Sequence, residues 1–358
     1  MEYKGLRIYE EPPEAADGLR SAYVQGIEAF IAGENRRHRA NREAFAQPEA
    51  VAAEREKFRQ CYRNMLGLDK LPARQCGEPV CTYVGEDELC AIYRLVVYPV
   101  EQIPFYALLM FPHSGSEPMP MVIAQHGGGG TPELCANMNG KNNYGNMVQR
   151  LLERGAAVLA PQLLLWAGEE LETARAHPIP YDRGRVDREL KRFGLSVTAL
   201  EIAGIQRCLD YAQTLERIDP MRIGMVGLSY GGYFTLHTMA ADTRIKAGYS
   251  TAAFNDRDAV ALNDWHYFGS AGLFQDAEVA GLCAPRRLYV QVGKTDPVFD
   301  YRPAIPEAAR AGAYYEACGC PENFVFDLWD GGHRFSEWDA GFDFLFAGLE
   351  EEQPCTKM

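Results

Sequence analysis

The five residues Gly227-Leu-Ser-Tyr-Gly231 constrain the fold of this chain more than any other part of its sequence. They follow a short apolar run at 222–227, which predicts a buried strand, and they precede a helical pattern over 230–242. Gly-x-Ser-x-Gly between a strand and a helix is typical of a sharp turn that lifts the serine above the edge of a sheet. Residues two before and two after the serine crowd each other in such a turn, which explains the two glycines. The sequence therefore predicts Ser229 as a nucleophile.

Short apolar runs alternate with helical patterns along most of the chain after Pro120. Strands are predicted at 121–125, 156–161, 222–227, 245–250, 287–292 and 323–329. Helices are predicted at 146–154, 195–212, 230–242, 304–317 and 335–349. This alternation predicts an α/β fold with a doubly wound, mostly parallel sheet. Residues 79–112 predict an antiparallel meander in front of it, and 163–194 is expected to be irregular.

The first 75 residues predict a helical extension, followed by a catalytic domain over 76–350 and a tail over 351–358. Apolar residues recur at helical spacing in the extension, and we expect them to pack against the main body. They are Leu19, Tyr23, Ile27, Phe30, Ile31, Val51, Phe58, Cys61, Tyr62, Met65 and Leu66.

Charge and hydropathy exclude several classes of partner. The chain has 36 Lys and Arg against 49 Asp and Glu, a net charge of −13, which argues against nucleic acid and anionic membrane as partners. No segment approaches the roughly 18 apolar residues of a membrane-spanning helix. The N-terminal residues lack the pattern of a signal peptide, so a cytoplasmic location is expected. Homo-oligomerisation stays open.

The ten cysteines do not form a metal-binding pattern. They are scattered along the chain without paired Cys-x-x-Cys units, and Cys318-Gly-Cys320 has no histidine nearby. We expect no metal and no cofactor, and we interpret the cysteines as reduced thiols that pack as small apolar side chains.

A serine hydroxyl needs a general base within hydrogen-bond reach, and the base needs a carboxylate that fixes its tautomer. Downstream of Ser229, Asp296 follows the predicted strand 287–292, and His333 follows the predicted strand 323–329. The order Ser, Asp, His is the one found where the serine lies on such a strand-to-helix turn. We therefore predict Ser229, His333 and Asp296 as a catalytic triad.

Other residues near these positions are weaker candidates. Asp300 lies four residues beyond Asp296 and stays an alternative for the carboxylate. Asp330 is interpreted as a turn residue. His237 lies inside a predicted helix and is expected to be packed, whereas His266 lies in a loop.

The segment Gln125-His126-Gly127-Gly128-Gly129-Gly130 follows the first predicted strand of the parallel sheet. Glycine lets a backbone amide approach a substrate closely, so Gly127 and Gly128 are predicted oxyanion donors together with the backbone N–H of Tyr230. A phosphate-binding loop is excluded, because no Lys-Ser or Lys-Thr follows and no Gly-x-Gly-x-x-Gly opens a helix. His126 is more readily structural than catalytic.

Three stretches give the chain a family resemblance, and they lie at 219–232, 244–250 and 283–296. With the glycine loop and the meander, the chain resembles the α/β-hydrolases over roughly 80–350. Within them it is similar to the dienelactone-hydrolase and acetyl-xylan-esterase-like branch. The resemblance implies hydrolysis of carboxylic esters through an acyl-enzyme, without a cofactor. Two departures leave the substrate open: dienelactone hydrolases proper have a cysteine where this chain has Ser229, and Gln162 follows Pro161 where many relatives have Asp.

Two other functions remain as alternatives. Gly-x-Ser-Tyr-Gly-Gly-Tyr also resembles the catalytic domain of prolyl-oligopeptidase-type peptidases, but the N-terminal residues are too few to build the β-propeller of those enzymes. A non-catalytic scaffold with this fold is the second alternative. A complete set of Ser229, Asp296 and His333 argues against it.

The substrate is expected to be a small-molecule ester with a small acyl group such as acetyl, and a sugar is one candidate for its alcohol. Loops at the carboxyl ends of strands build such sites, so 163–194 should overhang the serine. His126, Trp265 and His266 are the candidate pocket residues. The charged stretch 181–189 suits water better than lipid, so no lipid-binding lid is expected there. Arg183 and Arg185 could meet a carboxylate, but charged residues on a loop usually face water, and that is the expectation here.

Overall fold

The computed structural model describes residues 12–72, 77–138, 144–166 and 179–350. The predicted tail at 351–358 lies outside the described residues, as does most of the middle of the 163–194 insert. The chain begins with three helices joined by short turns. They are α1 (Asp17–Phe45), α2 (Pro48–Ala53) and α3 (Arg55–Leu66).

Within the described residues, nine strands form one sheet, in the order β1-β2-β3-β5-β4-β6-β7-β8-β9. The strands are β1 (Val80–Glu86), β2 (Cys90–Val100), β3 (Ile103–Pro112), β4 (Met119–Gln125), β5 (Ala157–Pro161), β6 (Ile218–Leu228), β7 (Ile245–Thr251), β8 (Arg287–Gly293) and β9 (Phe324–Trp329). Strands β1 to β3 pair antiparallel, β3 pairs antiparallel with β5, and β5, β4 and β6 to β9 are parallel. The predicted meander and parallel sheet are therefore confirmed.

Helices connect the parallel strands. They are α4 (Pro132–Cys135), α5 (Met147–Glu153), α6 (Arg183–Lys191), α7 (Val197–Ala212), α8 (Tyr230–Ala241), α9 (Asp276–Cys283), α10 (Ala304–Ala317) and α11 (Ala340–Glu350). Helix α9 was not predicted from the sequence, and α6 corrects the expectation that 163–194 is irregular. Gly184 and the prolines suggested a loop there, but the Asp182 side chain caps α6 by accepting the Arg185 N–H at 2.8 Å.

The sheet is covered on both faces, as a doubly wound fold requires. Along β4, Met121 and Ile123 pack on the face that carries α7 and α8, whereas Val122 and Ala124 pack on the face of α5 and α11. This alternation follows from the period of two in a strand. The central strands are thus buried on both sides, and their carboxyl ends are free to build a site.

The described part of the N-terminal extension, residues 12–72, is helical as predicted, but only part of it packs on the body. The apolar residues of α2 and α3, such as Val51, Phe58 and Tyr62, are buried against the sheet domain. In α1 the prediction was wrong, because the large apolar side chains from Leu19 to Ile31 are exposed. Periodicity identifies the apolar face of a helix and does not show what covers it.

The prediction that the cysteines are buried, reduced thiols is confirmed for most of the cysteines that the structure describes. All eight described cysteines are free thiols, and five of them are buried: Cys90, Cys135, Cys208, Cys283 and Cys320. No helix in the described ranges is long and apolar enough to cross a bilayer.

Candidate active site

Ser229 lies in a strained turn between β6 and α8. Its backbone angles are φ +61° and ψ −122°, a conformation that non-glycine residues rarely adopt. The Ser229 N–H donates to the carbonyl oxygen of Thr251 at 2.9 Å, which ties the turn to the end of β7. This is the sharp strand-to-helix turn that the Gly-x-Ser-x-Gly sequence predicts.

The two glycines beside Ser229 are required by close backbone contacts. A Cβ atom on Gly227 would lie 2.3 Å from the carbonyl carbon of Gly231, and one on Gly231 would lie 2.1 Å from the carbonyl oxygen of Gln125. Neither position accepts a side chain unless the backbone moves. The turn can therefore form in this sequence because both flanking residues are glycine.

Asp296 and His333 form a hydrogen-bonded pair at the same edge of the sheet. His333 Nδ1 donates to Asp296 Oδ2 at 2.8 Å, and the other carboxylate oxygen, Oδ1, accepts the N–H groups of Val298 at 2.7 Å and Phe299 at 3.1 Å. The loops that carry the pair are joined by a hydrogen bond from the Thr295 N–H to the Gly331 carbonyl at 2.9 Å. Since Nδ1 is engaged, Nε2 is the ring atom of His333 available to accept a proton.

The electrostatics of this pair favour a charged Asp296. Its side chain is only 1 % exposed, and burial alone raises the pKa of a carboxyl group. The hydrogen bonds from His333, Val298 and Phe299 outweigh burial and hold the pKa of Asp296 below its usual value. A carboxylate fixed on both oxygens can orient the imidazole and stabilise its charged form.

The rival residues have other partners. Asp300 is exposed and pairs with Arg302 at 2.7 Å, and Asp330 is exposed and pairs with Lys294 at 2.7 Å. His237 is buried in α8, where it hydrogen bonds with the Tyr62 hydroxyl.

A row of aromatic side chains runs from Tyr230, next to Ser229, to His333. Among the described residues, no hydrogen bond joins Ser229 Oγ to the imidazole; such contacts are often long before a substrate binds. Tyr230, next to Ser229, packs its ring edge-on against Trp265 at 5.0 Å, and Trp265 stacks on Phe299 at 5.7 Å. Phe299 in turn lies 5.7 Å from the ring of His333.

The glycine loop after β4 lies against the serine turn. A Cβ atom on Gly127 would lie 3.2 Å from that of Ser229, so the two backbones are in contact. The predicted role of Gly127 as an oxyanion donor needs correction, since its N–H donates to the Tyr144 hydroxyl at 3.1 Å. Within the described residues, the N–H of Gly128 has no partner, and neither has that of Tyr230 at the first position of α8.

His126 supports the loop from inside the protein. It is fully buried, Nδ1 donates to the Gly127 carbonyl at 2.9 Å, and Nε2 accepts the Leu163 N–H at 3.0 Å. Burial lowers the pKa of His126 to about 4, so the ring is neutral. Gln162 also contacts His126 Nε2, at 3.2 Å. His126 is thus placed as a structural residue and not in an open pocket.

The other two candidate pocket residues, Trp265 and His266, pack against or hydrogen bond with other residues of the chain. Trp265 is buried, and it stacks on Tyr233 at 4.3 Å besides its contacts with Tyr230 and Phe299. His266 is half-buried, and its ring nitrogens hydrogen bond with the carbonyl oxygens of Leu262 and Arg257. The Nε1 atom of Trp265 is buried and has no hydrogen-bond partner among the described residues. Phe299, the aromatic residue that contacts His333, was not among the residues predicted from the sequence.

A buried ionic network behind Tyr230 was also missed. Arg183 is not in water as expected: its guanidinium binds both oxygens of Glu201 at 2.8 Å and Asp264 at 2.7 Å. The other oxygen of Asp264 accepts the Tyr230 hydroxyl at 3.0 Å, and Arg183 lies 5.3 Å from the Tyr230 ring. The sequence held one indication, an acidic residue at 201 within the apolar helix 197–212, where a buried carboxylate needs a cation.

The sheet order, the serine turn and the Asp–His pair at the strand ends together define the α/β-hydrolase fold. Among the described residues, no group of three His, Cys, Asp or Glu side chains is placed to hold a metal ion.

Comparison with known proteins agrees with this fold. In sequence, residues 200–278 match the prolyl oligopeptidase family of peptidases, and no curated protein matches the chain. A proposed acetyl xylan esterase from Bacteroides fragilis is similar in structure, with a TM-score of 0.64 and 19 % identity over 79 % of this chain and 76 % of that one. A glucuronoyl esterase from Solibacter usitatus has a TM-score of 0.58 and 16 % identity, over 80 % of this chain and 92 % of that one. Acetyl xylan esterase 1 from Thermoanaerobacterium sp. has a TM-score of 0.56 and 16 % identity, over 83 % and 94 %.

Proposed function

We propose that the protein is a serine hydrolase that cleaves carboxylic esters through an acyl-enzyme. The observation that carries the proposal is the Asp296–His333 hydrogen bond of 2.8 Å, at the sheet edge where Ser229 lies in a strained turn. A paired imidazole and carboxylate near a half-buried serine are the groups that activate a hydroxyl for acyl transfer.

In the proposed reaction, His333 Nε2 takes the proton of Ser229 as Oγ attacks the ester carbonyl. The protonated imidazole is stabilised by Asp296, and it then gives the proton to the leaving alcohol oxygen as the tetrahedral intermediate collapses. Water enters by the same route: His333 takes its proton, the hydroxide attacks the acyl group, and Ser229 leaves with a proton from His333. The acid is released, and no cofactor is consumed.

The oxyanion of the intermediate would be bound by the N–H groups of Tyr230 and Gly128. Both amides lack a partner among the described residues, and the Gly128 backbone lies against the Tyr230 ring. Each such donor contributes about 3–4 kcal/mol to stabilisation of the transition state in serine hydrolases.

The proposed substrate is an ester with a small acyl group such as acetyl, with a sugar as the candidate alcohol. Tyr230 follows Ser229 in the chain and the Phe299 ring contacts that of His333, so aromatic side chains adjoin both proposed catalytic residues, which suits a compact neutral group. Two proteins of similar fold carry the name acetyl xylan esterase. This likeness supports the choice of acyl group by analogy alone. The cytoplasmic location stays a prediction.

The test is a series of p-nitrophenyl esters of increasing acyl length, from acetate to palmitate, with and without EDTA. We expect the highest kcat/KM with acetate or butyrate, no effect of EDTA, and loss of turnover in Ser229→Ala while the fold is retained. A fluorophosphonate probe should label the wild type and not Ser229→Ala. Absence of labelling would favour the non-catalytic scaffold, and a maximum at octanoate or longer would contradict the proposed acyl group.

A peptidase is the second candidate, because residues 200–278 match the prolyl oligopeptidase family. Against it, every strand in the described residues belongs to the one central sheet, so no propeller is formed there. Alanyl and prolyl p-nitroanilides tested beside the esters separate the two activities. A higher kcat/KM on an anilide than on p-nitrophenyl acetate would favour the peptidase.

A further inference from the structure

The first half of α1 stands apart from the rest of the molecule. Every residue from 17 to 32 is exposed, on all sides of the helix. Contact with the body begins later in the helix, where Arg39 donates to Asp256 at 2.7 Å and Arg42 to the Ala271 carbonyl at 2.8 Å. Sixteen residues, about 24 Å of helix at 1.5 Å per residue, therefore extend into solvent.

A helix of this composition needs tertiary contacts. Isolated helices of about 12–15 residues are marginal in water even when they are rich in alanine. The exposed half of α1 contains Gly18 and Gly26, which each cost about 1 kcal/mol relative to alanine, and the β-branched residues Val24, Ile27 and Ile31. Its stability must therefore come from burial of a face.

One side of this half-helix carries large apolar side chains. The six with the largest exposure are Leu19 (77 %), Tyr23 (74 %), Val24 (57 %), Ile27 (41 %), Phe30 (68 %) and Ile31 (46 %). At about 150–250 Å² for an aromatic side chain and somewhat less for an aliphatic one, they expose about 700 Å² together. The largest apolar patch on a typical monomer is about 300–600 Å².

We propose that this surface, the α1 stripe, pairs with the α1 stripe of a second copy of the chain around a two-fold axis. Two stripes that cover each other would bury about 1,400 Å² in total, within the ~1,200–2,000 Å² of a standard interface. A two-fold axis makes one patch self-complementary, as is usual in homodimers. Two copies of this chain are therefore enough to cover both α1 stripes.

An antiparallel pair centred on Ile27 also matches the charges of α1. In this register Tyr23 faces Ile31 of the second copy, and Arg20 faces Glu34 of the second copy on each side of the axis. Arg20 and Glu34 now contact charged residues of their own helix, Asp17 at 2.8 Å and Arg37. The small residues Gly26 and Gly33 border the stripe, which lets two helices approach closely.

A membrane surface is the less favourable occupant. Residues 17–32 contain one basic residue, Arg20, against the two acidic residues Asp17 and Glu28. Helices that lie on membranes carry basic residues on the polar face and bind anionic lipid. The chain as a whole carries a net charge of −13 and would be repelled by such a surface.

The test is the mass of the full chain in solution, measured by sedimentation velocity and by light scattering at high micromolar concentration. We expect the wild type at about 80 kDa, twice the chain's 40.0 kDa, and Ile27→Glu at 40.0 kDa, because the substitution places two carboxylates at the axis. Ser21→Glu, on the opposite side of α1, is the matched control and should stay dimeric. Circular dichroism and melting temperature check that each variant is folded.

A charge exchange keeps the test decisive if Ile27→Glu disturbs the helix. Arg20→Glu and Glu34→Arg should each weaken the dimer, and the double variant should restore it. A monomeric wild type, or a dimer that persists in Ile27→Glu, would overturn the proposal. So would cosedimentation of a monomeric wild type with phosphatidylglycerol–phosphatidylcholine vesicles, since that outcome assigns the α1 stripe to a membrane.

Discussion

Replacement of Asp296 by Asn tests the proposed catalytic pair most directly. The asparagine oxygen can still accept the N–H groups of Val298 and Phe299, as Asp296 Oδ1 does now at 2.7 and 3.1 Å. The amide NH₂ then faces His333 Nδ1, where the carboxylate accepts at present. Two donors cannot share a hydrogen bond, so the imidazole is driven to carry its proton on Nε2 and cannot accept the serine proton.

The expected loss of kcat has two causes. The His333 imidazole no longer has the tautomer that accepts the serine proton, and no carboxylate charge stabilises its protonated form. An equivalent change in a serine protease reduces kcat about 10⁴-fold, and at 1.36 kcal/mol for each tenfold change this is about 5.5 kcal/mol in the barrier. Asp300→Asn is the matched control, because Asp300 pairs with Arg302 on the surface and does not contact His333. We expect it to change kcat less than about threefold, as surface substitutions generally do.

The assay is kcat and KM for p-nitrophenyl acetate, with melting temperature as the check on folding. For Asp296→Asn we expect a loss of about three to four orders of magnitude in kcat with little change in KM. Activity in Asp296→Asn within tenfold of the wild type would refute the role of Asp296. A large loss in Asp300→Asn alone would transfer that role to Asp300.

Three further predictions concern stability, and thermal unfolding measures each of them. Arg183→Met leaves its two carboxylate partners buried and unpaired and should cost about 3–5 kcal/mol, whereas Arg185→Met, exposed on the same helix, should cost less than about 0.5. Burial, with a neighbouring carboxylate, raises the pKa of Glu307 to about 8. Above the usual pKa of a glutamate, the folded state therefore holds a proton that the unfolded state has released. The free energy of unfolding falls for this reason as pH rises to about 8. Glu307→Gln should therefore exceed the wild type in melting temperature at about pH 9 and lie close to it at about pH 5. Gly231→Ala should disrupt the serine turn, and Gly312→Ala, with open space around it in a helix, should be neutral or stabilising by up to about 1 kcal/mol. Equal effects within a pair, or an unchanged pH dependence in Glu307→Gln, would contradict these assignments.

The features that the sequence predicts well are those fixed by local geometry. A period of two or of 3.6 identifies strands and helices, and the helix predicted at 304–317 has those bounds in the structure. Gly227 and Gly231 indicate the turn because contacts as close as 2.1 Å exclude any side chain there. Asp296 could be preferred over Asp300 because a residue at the end of a parallel strand is held at the edge of the sheet.

The features that the sequence predicts poorly depend on contacts between distant parts of the chain. Arg183 lies 18 residues from Glu201 and 81 from Asp264, and no local pattern shows that the three meet. The amide of Gly127 was predicted as a donor because its neighbours are glycines, but Tyr144, 17 residues on, occupies it. A charged residue in an apparent loop is usually solvated, and this expectation fails where folding brings two carboxylates to it.

The Arg183 network also bears on which acyl group the proposed enzyme can take. Arg183 is the cation nearest to the Tyr230 ring, at 5.3 Å, but both carboxylates bound to it are themselves nearly buried. To bind an anionic acyl group, Arg183 would have to leave a buried carboxylate uncompensated, at a cost of about 3–5 kcal/mol. Lys294 and Arg302, on the loop after β8, each pair with a carboxylate of their own, Asp330 and Asp300, at 2.7 Å. Arg183 is therefore not a free cation for an anionic acyl group, which agrees with the neutral acyl group proposed above.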